Sequence, residues 1–394
     1  TGGAGADTLY GGTGNDIFIQ TVGDTTGDKI NGESDSATNR GSDTVDYRAF
    51  ASNSGGIKVS LNDLTAAEVT LGNATSVDHT LSDIENIIGT QDSDTIEGDT
   101  ANNILDANTG THDTLSFAKN NSGVFVNIGL TDISVDLDGN GSLDRITAST
   151  AKNATADAKY TDIIGTDVVL NFDDAIGGSK NDTIIGTSGV NTLDGGLGDD
   201  LLIGGAGDDK LIGGSGNDTV SYALDTAGVT VNLRAGTGID GSSATDTYDG
   251  IENVLGSSFN DIIQGDNGIN ILNGGAGTDT ITYEDYDKSN GVTVSLAKTD
   301  AQDTGDGTDT ITNFENLKGS NQNDDLTGDE KSNTIWGIDG DDVIDGGAEA
   351  DKLYGGKGND TFIVRVGDGN DVIDGYELIN DTPTSDENRS DKDT

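Results

Sequence analysis

An acidic or amide residue recurs every nine residues from Gly177 to Ser221, where the chain reads GGSKNDTII, GTSGVNTLD, GGLGDDLLI, GGAGDDKLI and GGSGNDTVS. The sixth place holds Asp182, Asn191, Asp200, Asp209 and Asp218, and most copies carry glycine at the first, second and fourth places. A glycine-rich turn can aim its carbonyls inward because no Cβ obstructs them, and each Asp adds a carboxylate. Together these are hard oxygen donors, of which a Ca²⁺ ion takes roughly six to eight. The same place elsewhere in the chain holds Asp7, Asp16, Asp94, Asp261, Asp279, Asp324, Asp342, Asp351 and Asp360. These residues are the candidate metal ligands. A surface made acidic only for solubility needs no phase, whereas these Asp keep a fixed offset from glycine.

Such turns must be held by what flanks them. After each Asp the residues alternate, with an aliphatic side chain at the eighth place, as in a short strand. Each nonapeptide reads as a turn plus a strand, and copies in register read as a stacked parallel β-solenoid, an all-β fold. Stacking sets neighbouring Asp about 4.8 Å apart along the axis. Like charges at that spacing raise one another's pKa unless a cation lies between them. The expected metal-free chain is poorly folded.

The composition asks for the same help. The 394 residues include 60 Gly, one Pro, no Cys and no Met, and only 31% are hydrophobic, too few for an ordinary core. With 71 acidic against 20 basic residues the formal charge is -51, which excludes nucleic acid and anionic membrane surfaces as partners and favours cations. No apolar run reaches the length of a membrane span, so no membrane insertion is expected, and no basic-then-apolar leader opens the sequence. The lack of Cys removes disulfides and thiolate metal sites. It leaves an extracellular location open, since bound metal can supply comparable stabilisation.

A longer unit runs beside the period of nine. It opens DTVDY at Asp43, DTLSF at Asp113, DTVSY at Asp218 and DTITY at Asp279, and continues into GIKVSL, GVFVNI, GVTVNL and GVTVSL. IENIIGT, FDDAIGGS, IENVLGS or FENLKGS then leads back to nonapeptides. Each intervening segment reads as one or two wider coils continuing the solenoid; the alternative is small β domains strung between rolls. The segments are 1–42, the end of a preceding block; 43–112, 113–217, 218–278 and 279–374, each a β-coil plus a nonapeptide block; and 375–394, the start of a further segment. GGTGNDIFIQTVGD near one end parallels GGKGNDTFIVRVGD near the other, as if about one period had been cut from a longer repetitive polypeptide.

On these motifs the chain resembles the RTX (repeats-in-toxin) family of secreted bacterial proteins. The resemblance implies a right-handed parallel β-roll in which one coil consumes two nonapeptides and facing turns share one ion. It would place Asp182, Asp200 and Asp218 on one edge and Asn191 and Asp209 on the other. Asp324, Asp342 and Asp360 would likewise face Asn333 and Asp351, and Asp261 and Asp279 would face Asn270. The Asn, recurring at 103, 191, 270 and 333, departs from the family pattern. It gives either a weak or absent site or an amide that hydrogen-bonds within its own turn. Lys180 and Glu349 replace fourth-place glycines and unsettle the ions beside them.

DLDGNGSLD is a second kind of candidate, with Asp136, Asp138, Asn140 and Asp144 at places 1, 3, 5 and 9 of an EF-hand-like loop but Thr147 at place 12. The alternative is an ordinary acidic turn. His79 and His112 lie in no catalytic motif and read as surface or turn residues. Trp336 and Tyr354 read as solvent-side packing, or else as a glycan platform. No reaction is suggested. The functional expectation is a Ca²⁺-dependent structural or adhesive region of a secreted cell-surface protein, exported by type I secretion as the resemblance implies. Its partners would be copies of itself or tandem neighbours, with cell-surface glycan or lipopolysaccharide as further candidates. The alternative is the non-catalytic calcium module of a secreted protease, lipase or alginate epimerase. A toxin would be expected to carry a long apolar helix, and none is present.

Overall fold

A computed structural model describes residues 2–3, 5–21, 27–33, 41–50, 55–61, 67–71, 79–99, 103–119, 124–129, 133–135, 144–146, 150–153, 166–286 and 288–374. Its regular structure is all strand, with no helix among the described residues and so none long and apolar enough to cross a membrane. The chain divides into two compact units, one made of Thr1–Val135 and Ser142–Asp218, the other beginning at Thr219.

The coil length follows from the period. In the first unit Thr183–Ile185 pairs in parallel with Leu201–Ile203, and Thr192–Leu197 with Lys210–Ser215, so that Thr183 opposes Leu201 and Thr192 opposes Lys210. Equivalent residues on successive coils are 18 apart, which is two nonapeptides per coil. In the second unit Asp325–Thr327, Val343–Asp345 and Thr361–Ile363 stack in the same way, as do Thr334–Asp339 and Lys352–Lys357. The eighth-place side chain of each short strand points inward. Ile184, Leu193, Leu202, Leu211, Leu326, Ile335, Ile344 and Leu353 are all fully buried. Each such residue supplies about 2 kcal/mol of burial. One or two buried aliphatics per strand make a thin core, so the fate of the turn oxygens weighs heavily.

The widened coils continue the solenoid by a detour. Strands β1 (Thr8–Gly12), β2 (Ile17–Thr21), β3 (Lys29–Glu33) and β4 (Thr44–Ala49) stack in parallel on coils longer than 18 residues, β1 on β3 with Thr8 opposite Lys29 and β2 on β4 with Ile17 opposite Thr44. Then β5 (Ile57–Ser60), β6 (Ala67–Leu71) and β7 (His79–Ser82) form an antiparallel meander, after which β8 (Asn86–Ile88) and β9 (Thr95–Glu97) resume. Because β7 lies parallel to β3 and β5 parallel to β9, the meander is slotted between two coils without breaking the sheet. The second unit repeats the device with Thr230–Asn232, Thr237–Ile239 and Thr245–Asp249. The aromatic that opens each long unit fills the extra width: Tyr47, Phe117, Tyr222 and Tyr283 are all buried. His79 corrects the sequence reading. It is fully buried on β7 with its ring edge-on to Tyr47, 6.1 Å between centroids. His112 is an exposed turn residue at φ 62°, 3.6 Å from Asp174.

Candidate metal centres

The turn Gly195–Asp200 shows how the glycine pattern acts. Gly196 and Gly198 have φ of 99° and 129°, and a Cβ on Gly196 would lie 2.6 Å from the Gly178 carbonyl oxygen of the coil before. Glycine there permits both the left-handed turn and the close stacking. Asp200 Oδ1 accepts the backbone N–H of Asp182 at 2.7 Å, and Asp218 Oδ1 accepts that of Asp200 at 2.8 Å. Asn191 donates in the same way to Asp209 at 2.8 Å. In the second unit Asp324 donates to Asp342 (2.8 Å), Asp342 to Asp360 (3.0 Å), Asn333 to Asp351 (2.8 Å) and Asp261 to Asp279 (2.8 Å). One carboxylate oxygen per turn thus ties each coil to its predecessor.

The second oxygen is what makes these turns candidate sites. Oδ2 of Asp7, Asp16, Asp28, Asp43, Asp200, Asp279, Asp342 and Asp351 is buried with no hydrogen-bond partner. A bare buried carboxylate oxygen costs a few kcal/mol or more, so it must take up a proton or a cation. Burial, with the charges of Asp218, Asp199 and Asp194, pushes Asp200 up to about 7. Burial, with Asp324, Asp360 and Asp341, pushes Asp342 to about 8. Asp279 rises to about 7 and Asp351 to about 6, burial again leading. The surroundings suit a hard cation, since the Cβ that Gly337 lacks would collide with both Asp342 Oδ2 and the Gly355 carbonyl of the next coil. Among the described residues no three carboxylate or imidazole groups converge, so backbone carbonyls must supply most of the donors.

A second class of turn has both carboxylate oxygens engaged. At Asp261 the Ser257 N–H donates to Oδ2 (2.6 Å) and the Ser257 hydroxyl to Oδ1 (2.7 Å). Ser320 does the same for Asp324, and Thr90 for Asp94. Asp182, beside Lys180, takes the N–H groups of Gly178 (2.5 Å) and Val124 (2.7 Å). The Asn turns behave as the amide reading expects. Oδ1 of Asn103, Asn191, Asn270 and Asn333 accepts an N–H four residues earlier, and Nδ2 donates to a carbonyl one coil back, Asn333 to Glu315 at 3.0 Å. Of the sequence candidates, Asp7, Asp16, Asp200, Asp279, Asp342 and Asp351 therefore have a spare oxygen. Asp209, Asp218 and Asp360 are buried in like fashion, while Asp94, Asp182, Asp261 and Asp324 sit in satisfied turns. Asp28 and Asp43 escaped the sequence reading because their turns lack the glycine spacing; only the alternation after each Asp marks them.

The described sequence matches the family model for the RTX calcium-binding nonapeptide repeat at residues 1–19, 79–111, 171–202, 185–220, 255–285, 318–351 and 336–364. The chain carries RTX calcium-binding nonapeptide repeats along its length. Calcium is therefore its cofactor, in several ions, and the spare Asp oxygens with the facing glycine carbonyls are the groups suited to hold it. No curated protein matches the chain. Proteins with RTX repeats are typically secreted by the type I route. Of the EF-hand-like loop, Asp136, Asp138 and Asn140 lie outside the described residues, and Asp144 begins a short strand, Asp144–Ile146. Trp336 and Tyr354 oppose each other on neighbouring coils and stack, 6.0 Å between centroids and 10° between planes.

Proposed function

We propose that this chain is a calcium-stiffened structural and adhesive region of a secreted bacterial cell-surface protein, of the adhesin, surface-layer or filament kind. It stays unfolded where calcium is scarce and folds after export. The observation that carries this reading is the set of buried carboxylate oxygens with no partner, most of them in glycine-rich turns. With bare oxygens the fold opposes itself; with calcium it is complete, so binding free energy becomes folding free energy. Far-UV circular dichroism in millimolar calcium and in EDTA tests it. A β signal and melting point unchanged by chelation would overturn it.

Association with further coils is part of the same proposal. With a formal charge of -51, copies of the chain repel one another unless a divalent cation bridges their acidic surfaces, so a tandem neighbour or a second copy held by calcium is the partner that fits. Light scattering across a calcium titration is expected to show growth in particle mass, and a strictly monomeric particle at saturating calcium would leave only the covalent neighbour.

A further inference from the structure

Three widened coils rejoin the solenoid through a left-handed residue other than glycine, followed by an apolar and an acidic one. These are Asp83-Ile84-Glu85, Asn171-Phe172-Asp173 and Asn313-Phe314-Glu315, with φ of 49°, 61° and 58° at the first residue. The acidic residue belongs to no nonapeptide, yet it stands where the next Asp of the stack would be. Glu85 accepts the backbone N–H of Asp43 at 2.8 Å, and Glu315 accepts that of Asp279 at 3.1 Å. Asp43 and Asp279 are each 0% exposed, and each keeps an Oδ2 without a hydrogen-bond partner. The Cβ missing from Gly32 would collide with Asp43 Oδ2 and the Asp83 carbonyl, and that missing from Gly274 with Asp279 Oδ2 and the Asn313 carbonyl.

A spare carboxylate oxygen, a carbonyl oxygen and a second carboxylate thus converge in the same way once in each unit. The geometry points to a divalent-cation site at each of these two junctions, with Glu85 and Glu315 as ligands standing in for the Asp of a glycine-rich turn. The inference rests on the calcium reading above but names ligands outside the nonapeptides. Burial raises Asp43, with Asp16, Glu33 and Asp83 adding to it, and burial likewise raises Glu85, with Asp43, Asp99 and Glu33 adding. The first junction is thus short of positive charge. At the second, Lys331 lies 3.2 Å from Glu315, so its ion is held less tightly. The third junction lacks the arrangement. Asp173 is one methylene shorter and takes the N–H of His112 at 2.9 Å, and Asp113 Oδ2 is engaged by the N–H of Gly110 at 3.1 Å.

The test counts calcium bound to the whole chain by equilibrium dialysis and atomic emission, for wild type, Glu85→Gln, Glu315→Gln, the double variant and Asp325→Asn, an exposed strand residue. Gln retains an oxygen to accept the Asp43 or Asp279 N–H, and circular dichroism in saturating calcium checks that each variant folds. Each single variant is expected to bind one ion fewer, the double variant two fewer, and Asp325→Asn the wild-type number. Glu85→Gln should also lose an ion of higher affinity than Glu315→Gln loses. A folded double variant that binds as many ions as wild type overturns the junction sites alone. A wild type that binds no calcium overturns the calcium reading with them.

Discussion

The turns Gly195–Asp200 and Gly256–Asp261 tie the same kind of stack by different bends, and they leave opposite chemical debts. Asp261 has a hydroxyl and an amide on its two oxygens from within its own turn, besides the N–H of Val229. Asp200 has one N–H from the coil before and a bare second oxygen. The difference is written at the second and fourth places: Ser257 and Phe259 in one, Gly196 and Gly198 in the other. A hydroxyl-capped turn is complete as an organic structure. A glycine-rich turn is complete only with a cation, so the solenoid alternates metal-independent with metal-dependent segments.

The broadest way to break this comparison is to remove calcium altogether. Chelation is expected to abolish most of the β signal, and hydrogen exchange should show the Gly195–Asp218 turns opening before those around Asp261. Uniform loss of protection in both would mean that the two classes do not differ. Next in size is Asp342→Ala, which removes the ligand and the acceptor of the Asp324 N–H together. A loss of about 2–4 kcal/mol in calcium is expected from chemical denaturation. The variant should also need more calcium than wild type to reach its folded β signal.

Acidity sharpens the contrast further. Asp200 and Asp342 are raised from the ordinary 3.8 to about 7 and about 8 in the folded, metal-free state. The folded state therefore holds protons more tightly than the unfolded one. That contribution is fully present below pH 3.8 and is lost as pH rises through 7 to 8. Metal-free chain should thus be more structured near pH 5 than near pH 9, and calcium affinity should climb over the same range as protons leave. Calcium affinity independent of pH between 6 and 9 would contradict these assignments. The smallest expected effect is Ser257→Ala, which removes the hydroxyl donor to Asp261 at a cost of about 1 kcal/mol in calcium and leaves the number of bound ions unchanged.

Much of this was legible in the residues. The period of nine, the eighth-place aliphatics and the sixth-place Asp locate strands, core and candidate ligands, because each coil repeats one local rule. Two things were not. The meander β5–β6–β7 obeys a period of two, like any strand, so nothing local tells its antiparallel β6 from another coil, and His79 could not be recognised as core. Asp28 and Asp43 are preceded by sequence without the glycine spacing that marks a site, although the stacked hydrogen bonds to Asp7 and Asp16 return. The division of Asp into bare and capped was present in the Ser, Thr and Gly at the second place, but only the hydrogen bonds show what those residues do.

The same stacking has a mechanical meaning. Within each unit one coil is tied to the next, so a force along that stack loads its coils in series and peels them one at a time. An ordinary coil of 18 residues releases about 60 Å of slack. The coil that carries the meander, with 42 residues from Asp43 to Glu85, releases about 140 Å. Widened coils therefore act as stored length: under tension the tether yields in long strides where they give way and in short ones elsewhere, and it lengthens many times over before its covalent backbone is strained.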